Sequence, residues 1–366
     1  MEQLLQGLMA MTWGNVVMIL VGGLLIYLAI RREYEPMLLL PIGFGAILAN
    51  IPLSSALGPE GFLSILYDAG IKTELFPILI FIAVGAMIDF GPLLEQPVMM
   101  FFGAAAQFGV FATIVVATLL GFPIKEAASI GIIGAADGPT SIYVATKFAE
   151  RLVGPITVAA YSYMSLVPII QPPVIRALTS KEERCIHMEP SAVPISKTVK
   201  IIFPIALTLI AGIIAPMSVG LVGSLMFGNL IRECGVLDRL SKAAQNELSN
   251  LVTLLLGITI GSTMTADKFL TPETLMIIGL GLAAFIFDTA GGVIFAKILN
   301  LFLKKKINPM VGAAGISAFP MSARVIQRMA QKEDPGNFIL MQAVGANVAG
   351  QIGSIIAGAM VLALVP

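Results

Sequence analysis

The chain has 366 residues, of which 57% are hydrophobic and only 12% charged, and its mean hydropathy is +0.93. A soluble domain carries roughly 25% charged residues, so this composition excludes a water-soluble globule and calls for lipid, with length for about ten spans at roughly 20 residues each. The formal net charge is +0, which gives no electrostatic case for nucleic acid, and the two cysteines, Cys185 and Cys234, are too few for a disulfide scaffold and lack metal spacing.

The first residues, MEQLLQGLMAMTWGN, have no basic n-region and no small-residue cleavage site, and read as a short amphipathic segment rather than a signal peptide. Apolar stretches follow near 14–31, 37–53, 73–92, 98–122, 127–146, 153–175, 198–217, 218–231, 249–266, 273–300, 308–323 and 336–365. Most are long enough to span, which predicts an all-α polytopic membrane protein. Two longer connections, 54–72 and 232–248, read as amphipathic helices along the interface. One segment, 176–200, is hydrophilic and holds Arg176, Lys181, Arg184, Lys197, Lys200 and the single histidine, His187.

The two halves of the chain resemble each other. IFIAVGAMIDFGPLL (80–94) aligns without gaps on LGITIGSTMTADKFL (256–270), GAADGPTS (134–141) on GAAGISAF (312–319), and LANIPL (48–53) on FGNLIR (227–232). The three matches keep their order, and all are offset by about 176 to 179 residues. Shared membrane composition alone would match apolar positions, but here glycines coincide as well. The expected organisation is a first repeat over 1–178, with its N-terminal amphipathic segment, a basic cytoplasmic loop over 179–197, and a second repeat over 198–366.

Basic residues favour the cytoplasmic side. Arg31, Arg32 and the 176–200 loop can share that side only if one intervening segment fails to cross. The candidate is 127–146, interrupted by Gly134, Gly138 and Pro139, with its partner 308–323, interrupted by Gly312, Gly315 and Pro320. If both are re-entrant, seventeen basic residues lie inside and five outside: Lys72, Lys125, Lys147, Arg151 and Lys268. Each half then crosses an odd number of times, so the repeats are inverted, with broken or re-entrant helices meeting near the midplane. A broken helix that crosses fully remains the alternative.

An acid at membrane depth costs several kcal/mol unless it is paired or functional, which singles out Asp137. Gly138 and Pro139 stop the helix behind it, because proline lacks an N–H and glycine admits unusual dihedrals. Unwound backbone exposes carbonyls, and with the hydroxyls of Thr140 and Ser141 the carboxylate makes a hard-oxygen site suited to Na⁺ or H⁺. The plainer reading is a helix cap.

The second half offers Asn308, Gly312, Ser317 and Arg324, the last as either a snorkelling cation or an anion clamp. Tyr161 and Tyr163 follow the first interruption, where a phenol can donate to a carboxylate or simply pack. Asn347 follows the second. Asp288 is a further mid-span acid among glycines, read as a hydrogen-bonded packing acid or an ion site; Asp89 and Asp267 lie near span ends. The sequence has no P-loop, no nucleotide fingerprint, no Ser/His/Asp set and no paired nucleophile and base for an intramembrane hydrolase.

Three long motifs carry a resemblance that covers nearly the whole chain: GAADGPTSIYVATKFA, VAAYSYMSLVPIIQPPVIRALTSKEER, and NPMVGAAGISAFPMSARVIQRMAQKEDPGNFILMQAVGANVAGQIGS. They closely resemble the β subunit of the biotin-dependent, sodium-pumping decarboxylases, which act on oxaloacetate, glutaconyl-CoA, methylmalonyl-CoA or malonate. The chain is short for the oxaloacetate type, which leans towards the acyl-CoA types.

The resemblance implies a membrane subunit that decarboxylates carboxybiotin, consumes a proton and drives Na⁺ out of a bacterial cell across its inner membrane. It implies a carboxyltransferase subunit, a biotin carrier subunit and a small single-span membrane subunit as partners, with membrane lipid around a homo-oligomer, a trimer by family. No cofactor is expected on this chain itself. By motif, the family's functional aspartate falls on Asp137, its tyrosine on Tyr163, and its asparagine, glycine, serine and arginine on Asn308, Gly312, Ser317 and Arg324; all six match in type. On this view Asp137, Asn308, Gly312 and Ser317 serve Na⁺, Tyr163 serves the proton, and Arg324 serves the carboxylate of carboxybiotin. A secondary Na⁺/solute carrier or Na⁺/H⁺ exchanger would use the same inverted repeats and is the competing class.

Overall fold

The computed structural model describes residues 2–189 and 195–365; residues 190–194 of the basic loop lie outside the described residues. Among the described residues the regular structure is helical, with no strand, and six helices are long and apolar enough to cross a membrane. The protein is therefore an all-α polytopic membrane protein.

The first half begins with a short helix, Glu2–Met9. Then comes α1 (Trp13–Arg32), whose start is fixed by a capping box between Thr12 and Asn15 and whose last turn carries Arg31 and Arg32 at the dipole's negative end. Next are α2 (Pro36–Ala49) and α3 (Leu75–Met87), each too short to span alone. The 54–72 connection is helical only from Phe62, ends in a π turn over Tyr67–Ile71, and bends 62° into α3.

The apolar stretch 98–122 holds one of the six spanning helices, Pro97–Leu119, which is locally interrupted. It divides into α4 (Met100–Ala105) and α5 (Phe108–Leu119), interrupted at Ala106 and Gln107. The first glycine-rich segment gives α6 (Ile124–Gly131), a 3₁₀ turn over Ile132–Ala135, and α7 (Gly138–Phe148). The long α8 (Val153–Leu178) closes this half.

The second half runs through the same order. It contains α9 (Lys197–Ile214), α10 (Val219–Glu233), a surface helix Asp238–Ala243 that again ends in a π turn (Ala244–Leu248), and α11 (Ser249–Ser262). Next is α12 (Pro272–Phe302), capped by Thr271 and unbroken where α4 and α5 part. The second glycine-rich segment gives one turn at Met310–Ala313 and then α13 (Met321–Glu333), and α14 (Leu340–Leu364) follows.

Packing between the halves is reciprocal. α2 packs on α11 and α10 on α3; α8 packs on α12 and α14 on α4; α7 meets α14 and α13 meets α8. The short helices cross backbone to backbone at glycine. A Cβ on Gly261 would fall 2.1 Å from the Ile42 carbonyl, and one on Gly85 would fall 1.9 Å from the Leu225 carbonyl. Small residues allow this approach where no hydrophobic effect drives helices together. Asn50 donates to the Met264 carbonyl at 2.8 Å and Asn229 to the Ile88 carbonyl at 2.9 Å, so each side-chain amide satisfies the frayed end of the facing short helix.

These contacts sort the helices into two groups. One contains α1–α3 and α9–α11; in α9 only Pro204 is buried, as expected of a lipid-facing helix. The other contains α4–α8 and α12–α14, with both interrupted segments at its centre. Charges gather at two ends. Lys72, Arg151 and Lys268 line one cleft of about 560 Å³ with Asp68 and Glu150, and Lys147 pairs with Glu74 at 2.6 Å. At the other end Arg184 pairs with Glu333 at 2.9 Å and Lys297 with Glu183 at 3.2 Å.

Candidate functional site

The first interruption has a definite local cause. Ala136 takes a left-handed conformation (φ 53°, ψ 39°), which few non-glycine residues adopt, and Asp137 is extended. The chain then re-enters a helix at Gly138 and Pro139, where proline at the helix start loses no bond. Asp137 caps α7, accepting the Thr140 backbone N–H at 3.3 Å. The capping reading was thus correct but incomplete.

The carboxylate is only 4% exposed, and its other contacts come from far along the chain. Oδ2 accepts the Thr140 hydroxyl at 2.7 Å and the Ser354 hydroxyl at 2.7 Å. Ser354 also lies 3.2 Å from the Ser317 hydroxyl, which brings Ser317 to the same cluster. The two interrupted segments touch directly: the Ser317 backbone N–H donates to the Ala135 carbonyl at 3.1 Å. Ser141 turns its hydroxyl back to the Asp137 carbonyl at 2.8 Å. The result is a carboxylate and three hydroxyls at the contact of both interruptions with α14, the kind of all-oxygen cluster that suits a hard cation.

The second interruption must satisfy its unwound carbonyls without water. Long amides do this. Asn347 donates to the carbonyls of Ala314 at 3.2 Å and Ile316 at 2.6 Å, Gln351 to that of Ser317, and Gln171 to that of Ala313 at 2.9 Å. The Oδ1 of Asn347 is buried and accepts nothing, which leaves one more oxygen on α14 without a partner.

Not every expected residue is at this centre. The Asn308 amide donates to the carbonyls of Arg184 and Ile186, both at 2.9 Å, and its Oδ1 accepts the Met310 N–H, so it fastens the 184–186 loop across the mouth of the second interruption. Asn337 donates to the same two carbonyls. Gly312 serves close packing: a Cβ there would fall 2.0 Å from the Gly292 carbonyl of α12. Tyr163 points away, its hydroxyl donating to the Ile278 carbonyl of α12, whereas the ring of Tyr161 lies on Gly138, where an added Cβ would fall 2.1 Å from Cζ.

Asp288 is fully buried against the start of α5. Arg324 is exposed in the first turn of α13. The far end of that helix meets the basic loop, where His187 bonds to Asp334 at 2.7 Å and holds its carboxyl below the usual range.

The sequence reading missed Ser354, Gln351 and Gln171. The signal was present: Asn347, Gln351 and Ser354 sit at i, i+4 and i+7, which puts three polar groups on one face of an apolar helix.

Fold and site together define a polytopic membrane protein whose two broken segments close around one buried carboxylate. The profile described as Na⁺-transporting oxaloacetate decarboxylase β subunit matches residues 14–365, and the chain belongs to this family. It is 54% identical to the glutaconyl-CoA decarboxylase subunit β of Acidaminococcus fermentans, with 98% of this chain and 95% of that one covered. It is also 54% identical to the methylmalonyl-CoA decarboxylase subunit β of Veillonella parvula, with the same coverage, and 45% identical to the oxaloacetate decarboxylase β chain 2 of Salmonella typhi, with 97% and 96% covered. It is thus a multi-pass protein of the bacterial membrane and a subunit of a decarboxylase.

Proposed function

We propose that this chain decarboxylates carboxybiotin presented by a biotin carrier subunit and couples that step to Na⁺ export. The observation that carries the reading is the buried Asp137 carboxylate, hydrogen-bonded by Thr140 and Ser354 at the contact of the two broken segments. A carboxylate among hydroxyls in lipid is stabilised by a bound cation, and the family is a Na⁺-transporting one. We assign Asp137, Ser317, Ser354, Thr140 and the free Oδ1 of Asn347 to Na⁺. Asn308 and Gly312 support the segment rather than the ion.

In the chemical step, the bond between the carboxyl carbon and the ureido nitrogen of biotin breaks. CO₂ leaves, the electron pair stays on nitrogen, and nitrogen takes one proton, which is the proton consumed. Arg324, exposed on α13, is the cation offered to the incoming carboxylate. Tyr161, lying against Gly138, is better placed than Tyr163 to act near Asp137.

The reciprocal packing supports two inverted repeats over 1–178 and 198–366, and the two helix groups are the bodies that rock to give alternating access. The expected partners are a carboxyltransferase, the carrier and a small single-span subunit, in an oligomer of this chain.

The test is reconstitution of the whole complex in proteoliposomes, with carboxybiotin breakdown and radioactive sodium uptake followed together. Uptake that needs carboxybiotin supports the reading; Na⁺ movement indifferent to it would favour an exchanger. Arg324→Ala is expected to raise the carboxybiotin concentration needed for half-maximal rate while leaving that for Na⁺ unchanged; the reverse order would make Arg324 structural.

A further inference from the structure

A second acid is buried near this centre and has no part in the reading above. Asp288, midway along α12, has no exposed surface. Its Oδ1 accepts the backbone N–H of Gly109 at 2.5 Å. This amide belongs to the first turn of α5, which begins after the interruption at Ala106 and Gln107. Such first-turn amides have no partner inside their own helix, and the positive end of that helix faces the carboxylate.

The other oxygen, Oδ2, is buried and accepts nothing. It faces the first interrupted segment: a Cβ on Gly134 would fall 2.6 Å from Oδ2 and 2.8 Å from the Ala284 methyl. Gly134 lies in the turn Ile132–Ala135, immediately before Ala136 and Asp137. A hard cation needs a shell of about six oxygens. The wall at Gly134 is glycine backbone and a methyl group, which leaves room for a hydrogen on Oδ2 and offers no such shell.

The elements packed on α12 bring few charges. Their titratable side chains are Lys125 and Glu126 on α6 and Tyr161, Tyr163 and Arg176 on α8, while α12 itself adds Glu273 and Lys297. Among the described residues none of these is bonded to Asp288; Glu126 and Glu273 are held by Arg151, and Lys297 by Glu183.

We propose that Asp288 is a proton-binding site, loaded and unloaded in the working cycle and separate from the Na⁺ position at Asp137. The proposal rests on the pump reading, in which each decarboxylation consumes a proton. In the ionised form the Gly109 amide of α5 holds the group. In the neutral form the new O–H requires an acceptor, and Oδ2 faces the backbone around Gly134. The proton at Asp288 and the Na⁺ at Asp137 then act on the same short turn, and that turn also bonds to the second interruption through Ala135 and Ser317.

The experiment is infrared difference spectroscopy on the intact complex in lipid. The expected signal is a protonated-carboxyl stretch that titrates with pH, shifts on adding Na⁺, and vanishes in Asp288→Asn, whose Oδ1 can still accept from Gly109. In Asp137→Asn the pH titration should persist and the response to Na⁺ should be lost. If Asp288→Asn does not assemble, Asp288→Glu should keep the band at a shifted frequency. An unshifted band in Asp288→Glu, or no Asp288-dependent band at any pH at which the complex stays folded, would overturn the proposal. Reconstituted complex without sodium-coupled decarboxylation would sink the pump reading alone, because the titrating band reports on Asp288 independently of transport.

Discussion

The Ser354 hydroxyl donates a 2.7 Å hydrogen bond to Oδ2 of Asp137 across 217 residues of sequence. This bond ties the last helix to the first interruption, and through Ser317 to the second. The candidate site thus exists only when both halves of the chain are folded against each other.

Ser354→Ala removes a neutral donor from a buried carboxylate. A hydrogen bond to a charged group contributes about 1.5 to 3 kcal/mol, so the Na⁺ concentration for half-maximal decarboxylation should rise on the order of tenfold or more. The rate at saturating Na⁺ should change far less. An unaltered Na⁺ dependence would remove Ser354 from the ion site.

Asn308→Ala separates two roles. Its amide holds the carbonyls of Arg184 and Ile186, not Asp137. The variant should therefore be cut by trypsin at Arg184 faster than the parent while its Na⁺ affinity stays within about twofold, a shift below roughly 0.5 kcal/mol. A loss of Na⁺ affinity as large as that of Asp137→Asn would return Asn308 to the ion site.

Gly138→Ala places a methyl group into the ring of Tyr161. Overpacking of this kind costs about 1 to 3 kcal/mol, and here it displaces Asp137 directly. Activity should fall by more than tenfold and recover in part in Gly138→Ala with Tyr161→Ala. Gly312→Ala meets the Gly292 backbone instead, so no side-chain truncation should rescue it. Equal rescue of both would contradict this account of the close contacts.

The two charged ends make a topology prediction. Lys72, Arg151 and Lys268 share one cleft, while Lys305 pairs with Glu189 at 2.8 Å at the other end. A membrane-impermeant amine reagent added to intact cells should label Lys268 and spare Lys304 and Lys305. Labelling in the reverse pattern would invert the orientation assigned here.

Much of this architecture was legible because lipid is a demanding solvent. Composition alone required a polytopic helical chain, and the Gly134, Gly138 and Pro139 cluster marked an interruption because no span tolerates it unsupported. Asp137 stood out for its cost. What the sequence concealed was partnership. Asn308 and Asn347 look equivalent as polar residues near the second interruption, yet one fastens a surface loop and the other satisfies two buried carbonyls. Tyr161 and Tyr163 lie two residues apart on α8, about 200° around the helix, so only packing decides which one meets the turn. The interruption between α4 and α5 at Gln107 carries no proline, and the freed Gly109 N–H finds its partner on another helix, in Asp288.

Radioactive sodium uptake by proteoliposomes containing the Asp137→Asn complex, driven by carboxybiotin breakdown, tests the central claim most directly. The side chain keeps its size and one acceptor oxygen but loses the charge that a cation would neutralise. The account predicts that the assembled variant takes up no sodium above the background of empty vesicles. Full uptake by this variant would contradict it and place the Na⁺ site elsewhere in the protein.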